Sequence, residues 1–275
     1  MPSFANRLSE QFASFGQLCV GIDPSAEQLG QWSLPDSANG AKRFALEILE
    51  ASQGQVGIVK PQVAFFEQYG AVGLAALNEV MSRAKEMGFL VIADAKRGDI
   101  GSTMAGYARA WLSEEATFEA DALTLSPFLG LETLRQTIDT ALSNQKGVFI
   151  LSATSNPEAA SIQTAMIGSQ SVAASVASFA ASFVDTDLGS VGLVLGATVD
   201  LESFGLVADG LVNVPVLMPG FGQQGASLTT VSTRYKLFRS GLICNVSRSV
   251  AGDSATGLTN RISSAKRELE QGLER

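Results

Sequence analysis

The chain of 275 residues contains no histidine. That absence removes the Ser-His-Asp triad, the Cys-His pair, the imidazole general base and every histidine-ligated metal site. Cysteine is scarce as well. Cys19 and Cys244 are too few for a structural zinc site or a disulfide framework. Both lie inside apolar runs, where a small buried thiol is the expected state, and such thiols point to the cytoplasm. Charged residues make up only 17% of the chain, with 19 Lys and Arg against 27 Asp and Glu, for a net charge of −8. An acidic balance without a basic stripe or tail argues against a nucleic-acid partner or an anionic membrane surface. No stretch approaches the roughly 18 consecutive apolar residues of a membrane span. The chemistry must therefore come from Lys, Asp, Glu, Ser, Thr, Tyr or the backbone.

What is present is an apolar fraction of 46%, distributed as short runs separated by longer amphipathic segments. Eight runs read as strands: 18–24, 56–62, 89–96, 122–127, 147–155, 191–198, 215–220 and 242–249. They are almost continuously apolar, as strands buried on both faces of a parallel sheet are. The segments between them, such as EQYGAVGLAALNEVMSRAKEMG, space apolar residues by three and four. Eight βα units predict an α/β fold, a (β/α)8 TIM barrel, with an open doubly wound sheet as the alternative. Nothing in the composition marks a linker, so residues 1–275 are expected to form a single domain. It begins with a short helix over about 3–15, where Phe4, Leu8, Phe12 and Phe15 share a face. Ser169–Ser182, nearly all Ala, Ser and Val, reads as a helix packed closely on the sheet. Asp121, Asp200 and Asp209 read as solvated residues of loops or helix starts.

In such a barrel, function gathers at the C-terminal ends of the strands. Asp23 ends the first strand, Lys60 the second, and the third runs into Asp94-Ala95-Lys96-Arg97-Gly98-Asp99. Residues two apart on a strand share a face, so Asp94 and Lys96 are expected to point the same way. Charges of alternating sign after long apolar runs are expensive unless they pair. As a network they hold one another ionised. A salt-bridge plug is the bland reading, and a functional site is the sharper one. The seventh strand leads into Met218-Pro219-Gly220-Phe221-Gly222-Gln223-Gln224-Gly225, and the eighth ends in Asn245-Val246-Ser247-Arg248-Ser249. Loops after these two strands are the usual phosphate site, where backbone N–H groups, the helix dipole and a guanidinium such as that of Arg248 favour an anion. After the fifth strand, Ser155 and Asn156 offer groups that can read a base edge or simply cap a turn.

Together these residues resemble the orotidine 5′-phosphate decarboxylase family, in its longer type 2 subfamily. The matching stretches are VGIDPS at 20–25, KPQVAFFEQYG at 60–70, DAKRGDIGSTMAGYA at 94–108, TSNP at 154–157, PGFGQQG at 219–225 and NVSRS at 245–249. The resemblance implies conversion of orotidine 5′-monophosphate to UMP and carbon dioxide, the last step of de novo UMP synthesis, with no metal, cofactor or covalent intermediate. Lys96 would donate the proton to C6 within a network of Lys60, Asp94, Lys96 and Asp99. Asp99 would reach into a neighbouring subunit's site, implying a homodimer, and Thr103 would reach the partner's ribose hydroxyl. Asp23 and Lys60 would contact the ribose, Ser155 the pyrimidine, and Gln224 and Arg248 the phosphate. Gly222 and Ser247, in the same two loops, belong to the substrate-binding set. Whether Gln223 or Gln224 grips the phosphate stays open. So do the roles of Ser126 and Phe128, where SPFLG stands in place of the NPYLG of many relatives, and any contact between Cys19 and Cys244. Two rivals remain: a metal-dependent sugar-phosphate decarboxylase or aldolase on the same barrel, and a non-catalytic binder of phosphorylated ligands.

Overall fold

The apolar runs form eight parallel strands: β1 (Leu18–Ile22), β2 (Ile58–Pro61), β3 (Leu90–Arg97), β4 (Ala122–Leu125), β5 (Gly147–Ala153), β6 (Val191–Leu195), β7 (Val216–Pro219) and β8 (Leu242–Val246). The computed structural model describes residues 1–185, 187–206 and 211–274, so Asp209 lies outside the described residues. Strands follow one another around the sheet in chain order, and β1 pairs with β8, placing Leu18 opposite Cys244 and Val20 opposite Val246. That last pairing decides between the barrel and the open sheet. The sheet is a closed TIM barrel, with helices such as Ala38–Ser52, Gly70–Glu86 and Leu258–Glu274 between and around its strands.

Alternation along the strands divides the core in two. Cys19, Ile58, Ile92, Phe149, Val194, Leu217 and Ile243 fill the barrel interior. Leu18, Val20, Val59, Val91, Val148, Leu193, Val216 and Cys244 pack outward under the helices. The two cysteines are therefore buried, free and on opposite faces of the sheet.

The amphipathic N-terminal segment forms a helix, Phe4–Phe15, whose first turn is capped by the Ser3 side chain accepting from the Asn6 N–H. Phe4 and Leu8 are fully buried and join the interior core from below. The Phe4 ring meets Phe149 edge-on, with centroids 5.9 Å apart. It occupies the space that a side chain at Gly147 would need. Arg7 of this helix pairs with Asp121 and donates to the Gln145 carbonyl at 2.9 Å. Asp121 also accepts the Val91 N–H at 2.9 Å and is only 3% exposed. The solvated reading of Asp121 is thus wrong, because the N-terminal helix covers the start of β4. Asp200 is exposed.

Except for β3, which runs on to Arg97, the strands stop one to three residues short of their apolar runs, which leaves Asp23, Gln62, Ser155 and Ser247 just past the strand ends. The small-residue segment divides. Gln170–Ser171 pairs with Met166–Ile167 as a hairpin, and Val172–Ala181 is a helix capped by Ser171, with Ala173, Ala177 and Ala180 buried. Among the described residues no helix is long and apolar enough to cross a membrane.

Candidate active site

At the C-terminal mouth of the barrel the strand ends enclose a cavity of about 240 Å³. Leu151, Val194 and Leu217 form its apolar part, while Asp23, Lys60, Gln62, Asp94 and Lys96 supply one polar wall. Thr154, Ser155 and Asn156, the loop residues 219–221, 223 and 224, and the segment from Ser247 to Ser249 supply the other. Five charged residues, from the C-terminal ends of β1, β2, β3 and β8 or just beyond them, thus converge at the mouth of one closed sheet.

Lys60 is the deepest of them, 3% exposed. Its Nζ lies 3.1 Å from Asp94 Oδ2 and 3.9 Å from Asp23 Oδ1. The other Asp94 oxygen, Oδ1, receives Lys96 Nζ at 2.6 Å, and Lys96 Nζ also donates to Gln62 Oε1 at 3.4 Å. Burial works against each of these charges and the partners overcome it. For Lys60, desolvation lowers the pKa, but Asp94 and Asp23 turn the net shift upward and keep the ammonium ion. For Asp94, burial raises the pKa, yet Lys60 and Lys96 bring it down to about 2. The wall is a chain of fixed charges: lysine, carboxylate, lysine.

Asp94 and Lys96 meet, though not by plain strand alternation. β3 is irregular: its pairing with β4 runs Ala93 to Leu123 and then Arg97 to Leu125. Lys96 has φ of 49°, in the left-handed region that side chains avoid. The bulge folds the Lys96 side chain back onto Asp94. A second polar group lies beneath them. Thr124 of β4, fully buried, accepts the Lys96 N–H at 2.8 Å and donates to Asp94 Oδ1 at 3.0 Å.

Across the cavity the glycine-rich loop turns through three left-handed glycines, Gly220 at φ 116°, Gly222 at 79° and Gly225 at 96°. Gln224 reaches inward, its Oε1 accepting from Ser155 Oγ at 3.3 Å, so Gln224 and Ser155 face each other over the mouth. Gln223 also lines the cavity, on the side shared with Arg248. Arg248 is exposed at the first residue of the short helix Arg248–Ala251. Ser247 donates to Asp23, and it fits against β1 because Gly21 has no Cβ; one added there would lie 2.9 Å from Ser247 Cβ.

Gly222 sits at the turn of the glycine-rich loop. Its N–H donates to the Ala226 carbonyl at 2.9 Å, and Ser249 fills the place of its missing side chain. It shapes the loop and does not line the cavity. Asp99 and Thr103 do not line it either. Asp99 Oδ1 accepts the Ile100 N–H at 2.8 Å, and Thr103 is exposed in the first turn of the helix Gly101–Trp111. Three further polar residues received no role from sequence: Gln62, Thr124 and Asn245, the last accepting from Cys19 Sγ at 3.5 Å. Their one signal was polarity at a strand position otherwise occupied by Val, Ile or Leu. Among the described residues no three Cys, Asp or Glu side chains gather as a metal cage.

A family model, the Orotidine 5′-phosphate decarboxylase / HUMPS family, matches residues 16–256. The chain belongs to this family. The matched span contains every charged residue of the cavity, from Asp23 to Arg248, and leaves out the N-terminal helix that closes the barrel floor. The orotidine 5′-phosphate decarboxylase of Streptomyces coelicolor is 42% identical over 254 residues, covering 91% of this chain and 90% of that protein. Its counterpart in Corynebacterium efficiens is 42% identical, covering 84% of this chain and 83% of that protein. Among solved structures, a candidate orotidine 5′-phosphate decarboxylase from Streptomyces avermitilis superposes with a TM-score of 0.93 at 38% identity, covering 100% and 97% of the two chains. The Leishmania donovani OMP decarboxylase superposes with a TM-score of 0.73 at 31% identity, covering 96% and 99%.

Proposed function

We propose that the chain decarboxylates orotidine 5′-monophosphate to UMP and carbon dioxide, the last step of de novo UMP synthesis, and that the lysine–aspartate wall carries the chemistry. One observation supports this above the others: Lys96 Nζ and Asp94 Oδ1, 2.6 Å apart, stand in a cavity whose other wall is a glycine-rich loop and an arginine. In this reaction the C6–carboxylate bond breaks, the pair stays on C6, and no π-system receives it. A fixed cation beside that carbon stabilises the developing charge, and a proton must then reach it. The Lys96 ammonium supplies both, giving its proton to C6 and regaining one from solvent. Asp94, held ionised by Lys60 and Lys96, orients the ammonium and stands near the substrate's departing carboxylate.

Asp23 and Lys60 bind the ribose, Ser155 the pyrimidine, and Gln224, Arg248 and Ser247 line the phosphate end, with Gly222 fixing that loop. No metal, cofactor or covalent intermediate enters. Asp99 and Thr103 complete the site of a second copy in a homodimer. Their position outside their own chain's cavity favours this, as does the apolar Ile100 next to Asp99, which is 58% exposed. The expected location is the cytoplasm, and no nucleic acid or membrane takes part.

The test follows orotidine 5′-monophosphate by ultraviolet absorbance with wild type and Lys96→Ala, each with and without excess EDTA. Metal-independent turnover in wild type and almost none in the variant are expected. Equal rates would remove Lys96 from the chemistry, and loss of activity in EDTA would favour a metal-dependent sugar-phosphate type of enzyme. Mixing inactive Lys96→Ala and Asp99→Ala subunits should restore partial activity if sites are shared, and none if they are not.

A further inference from the structure

Thr124 is not among the residues lining the cavity and is fully buried, yet its hydroxyl touches both members of the reacting pair. The β3–β4 register explains why. Ala93 lies opposite Leu123 and Arg97 opposite Leu125, so three residues, Asp94, Ala95 and Lys96, face Thr124 alone on β4. On its other side the segment is held by β2, through a bridge between Gln62 and Asp94 and a bond from the Val63 N–H to the Asp94 carbonyl at 3.3 Å. On the β4 side the bulge takes the Lys96 N–H out of the backbone ladder, and the Thr124 hydroxyl accepts it at 2.8 Å. The same hydroxyl has one proton, which it gives to Asp94 Oδ1 at 3.0 Å, the oxygen that also receives Lys96 Nζ. The left-handed φ of 49° at Lys96 is unfavourable for a residue with a side chain, so something must hold it.

We propose that Thr124 is a positioning residue for the decarboxylation: its hydroxyl locks the Lys96 backbone and the Asp94 carboxylate into one geometry and thereby aims the Lys96 ammonium. It touches no substrate. Threonine suits the position because its methyl group packs in an apolar strand while the hydroxyl both accepts and donates. Valine keeps that shape and removes both bonds, leaving the Lys96 N–H without its acceptor. The side-chain ammonium is then free to drift from its place, and a misplacement of about 1 Å is enough to lower a rate by about a hundredfold.

The inference rests on the reading of Lys96 as proton donor, so the experiment has two arms. In the first, wild type, Thr124→Val, Thr124→Ser and Lys96→Ala are compared for kcat, KM and affinity for UMP, with thermal melts alongside. Thr124→Val should lose about 10- to 100-fold in kcat, with KM and UMP affinity within about threefold of wild type. Thr124→Ser should recover most of the rate. A valine variant with wild-type kcat would overturn the proposal, as would a serine variant that falls equally far, since the methyl group would then be what matters. Parallel losses in kcat, KM and melting temperature would mark a merely structural role. Thr124→Ala replaces the valine variant in the same comparison if valine prevents folding. In the second arm, hydrogen exchange reads the Lys96 amide directly. It should be protected in wild type and Thr124→Ser and exchange faster in Thr124→Val; unchanged protection overturns the proposal without reference to activity. Should wild type itself leave orotidine 5′-monophosphate intact, the functional reading has failed, and the exchange arm still decides whether Thr124 holds Lys96.

Discussion

Replacing Asp94 by asparagine keeps the shape of the side chain and removes the charge between two lysines. The consequences for those lysines differ. The Lys96 side chain is 43% exposed and can turn toward water, whereas that of Lys60 is 4% exposed and cannot. Asp23 is left as the nearest carboxylate to Lys60, at 3.9 Å. Removing one partner of a buried pair costs about 3–5 kcal/mol, because the other charge is stranded. A second scale comes from titration: the shift of Asp94 from 3.8 to about 2 corresponds to about 2 kcal/mol of preference for the ionised, folded state. At about 3 kcal/mol, and about 2–4 °C per kcal/mol in a domain of this size, Asp94→Asn should melt roughly 10 °C below wild type near neutral pH. Lys60→Met/Asp94→Asn, with both charges gone, should recover much of that loss. The pH dependence has a definite sign. A depressed carboxyl pKa contributes stability that is complete above its unfolded value of 3.8 and is lost as pH falls toward about 2. Wild type should therefore lose stability between these values more steeply than Asp94→Asn. Thermal and urea unfolding of the three proteins across that range settles the matter. A single variant within about 2 °C of wild type, an unchanged acid limb, or a double variant no better than the single one would refute the argument.

Other expectations follow from the same structure. Gly147→Val should drive a side chain into the Phe4 ring and cost about 1–3 kcal/mol in unfolding measurements; Phe4→Ala in the same chain should relieve part of it. Burial raises the Cys19 thiol to about 12, against the lowering influence of Lys60, and raises Cys244 as well. Iodoacetamide at mildly alkaline pH should therefore spare both thiols in the native protein and label both once guanidinium chloride unfolds it, as mass spectrometry will report. Arg248→Ala should weaken UMP about tenfold or more while leaving uridine nearly unaffected in calorimetric titrations, because only the nucleotide carries the phosphate.

How much of this could be read from sequence depends on the range of the interaction. All eight strands were legible because strands buried on both faces have little choice but to be apolar, and their number set the barrel. Polar residues at their C-terminal ends were legible for the same reason, as exceptions in an apolar pattern. Lys96 shows where the method stops. Strand alternation placed it beside Asp94, and it is there, but by way of a bulge and a left-handed backbone that depend on β4. Asp121 shows the same limit at the other end of the barrel. Its partner Arg7 lies 114 residues earlier, and no local pattern announces that a helix will fold under the barrel to meet it. Gly222 was legible as part of the glycine-rich loop, but only the fold shows its N–H given to Ala226.

The absence of histidine bears on how the cavity works. With Asp94 held near 2 and Lys60 shifted upward, these charges do not titrate around neutrality, and an imidazole among them would. A field of permanent charges needs no reorganisation when the carbanion forms. The arrangement of those charges is uneven in a useful way. Lys60 and Lys96 are balanced by Asp23 and Asp94, so the end proposed to meet the substrate's carboxylate carries no net charge of its own, and Arg248 at the far end is the surplus cation. In a chain of net charge −8, the reacting end can offer an anionic substrate little attraction. On the proposed roles, binding energy comes from the phosphate end and is used to hold the carboxylate beside Asp94, where it is least comfortable. Loss of Arg248 should accordingly depress the rate as well as the affinity, since the two ends of the cavity act on one rigid substrate.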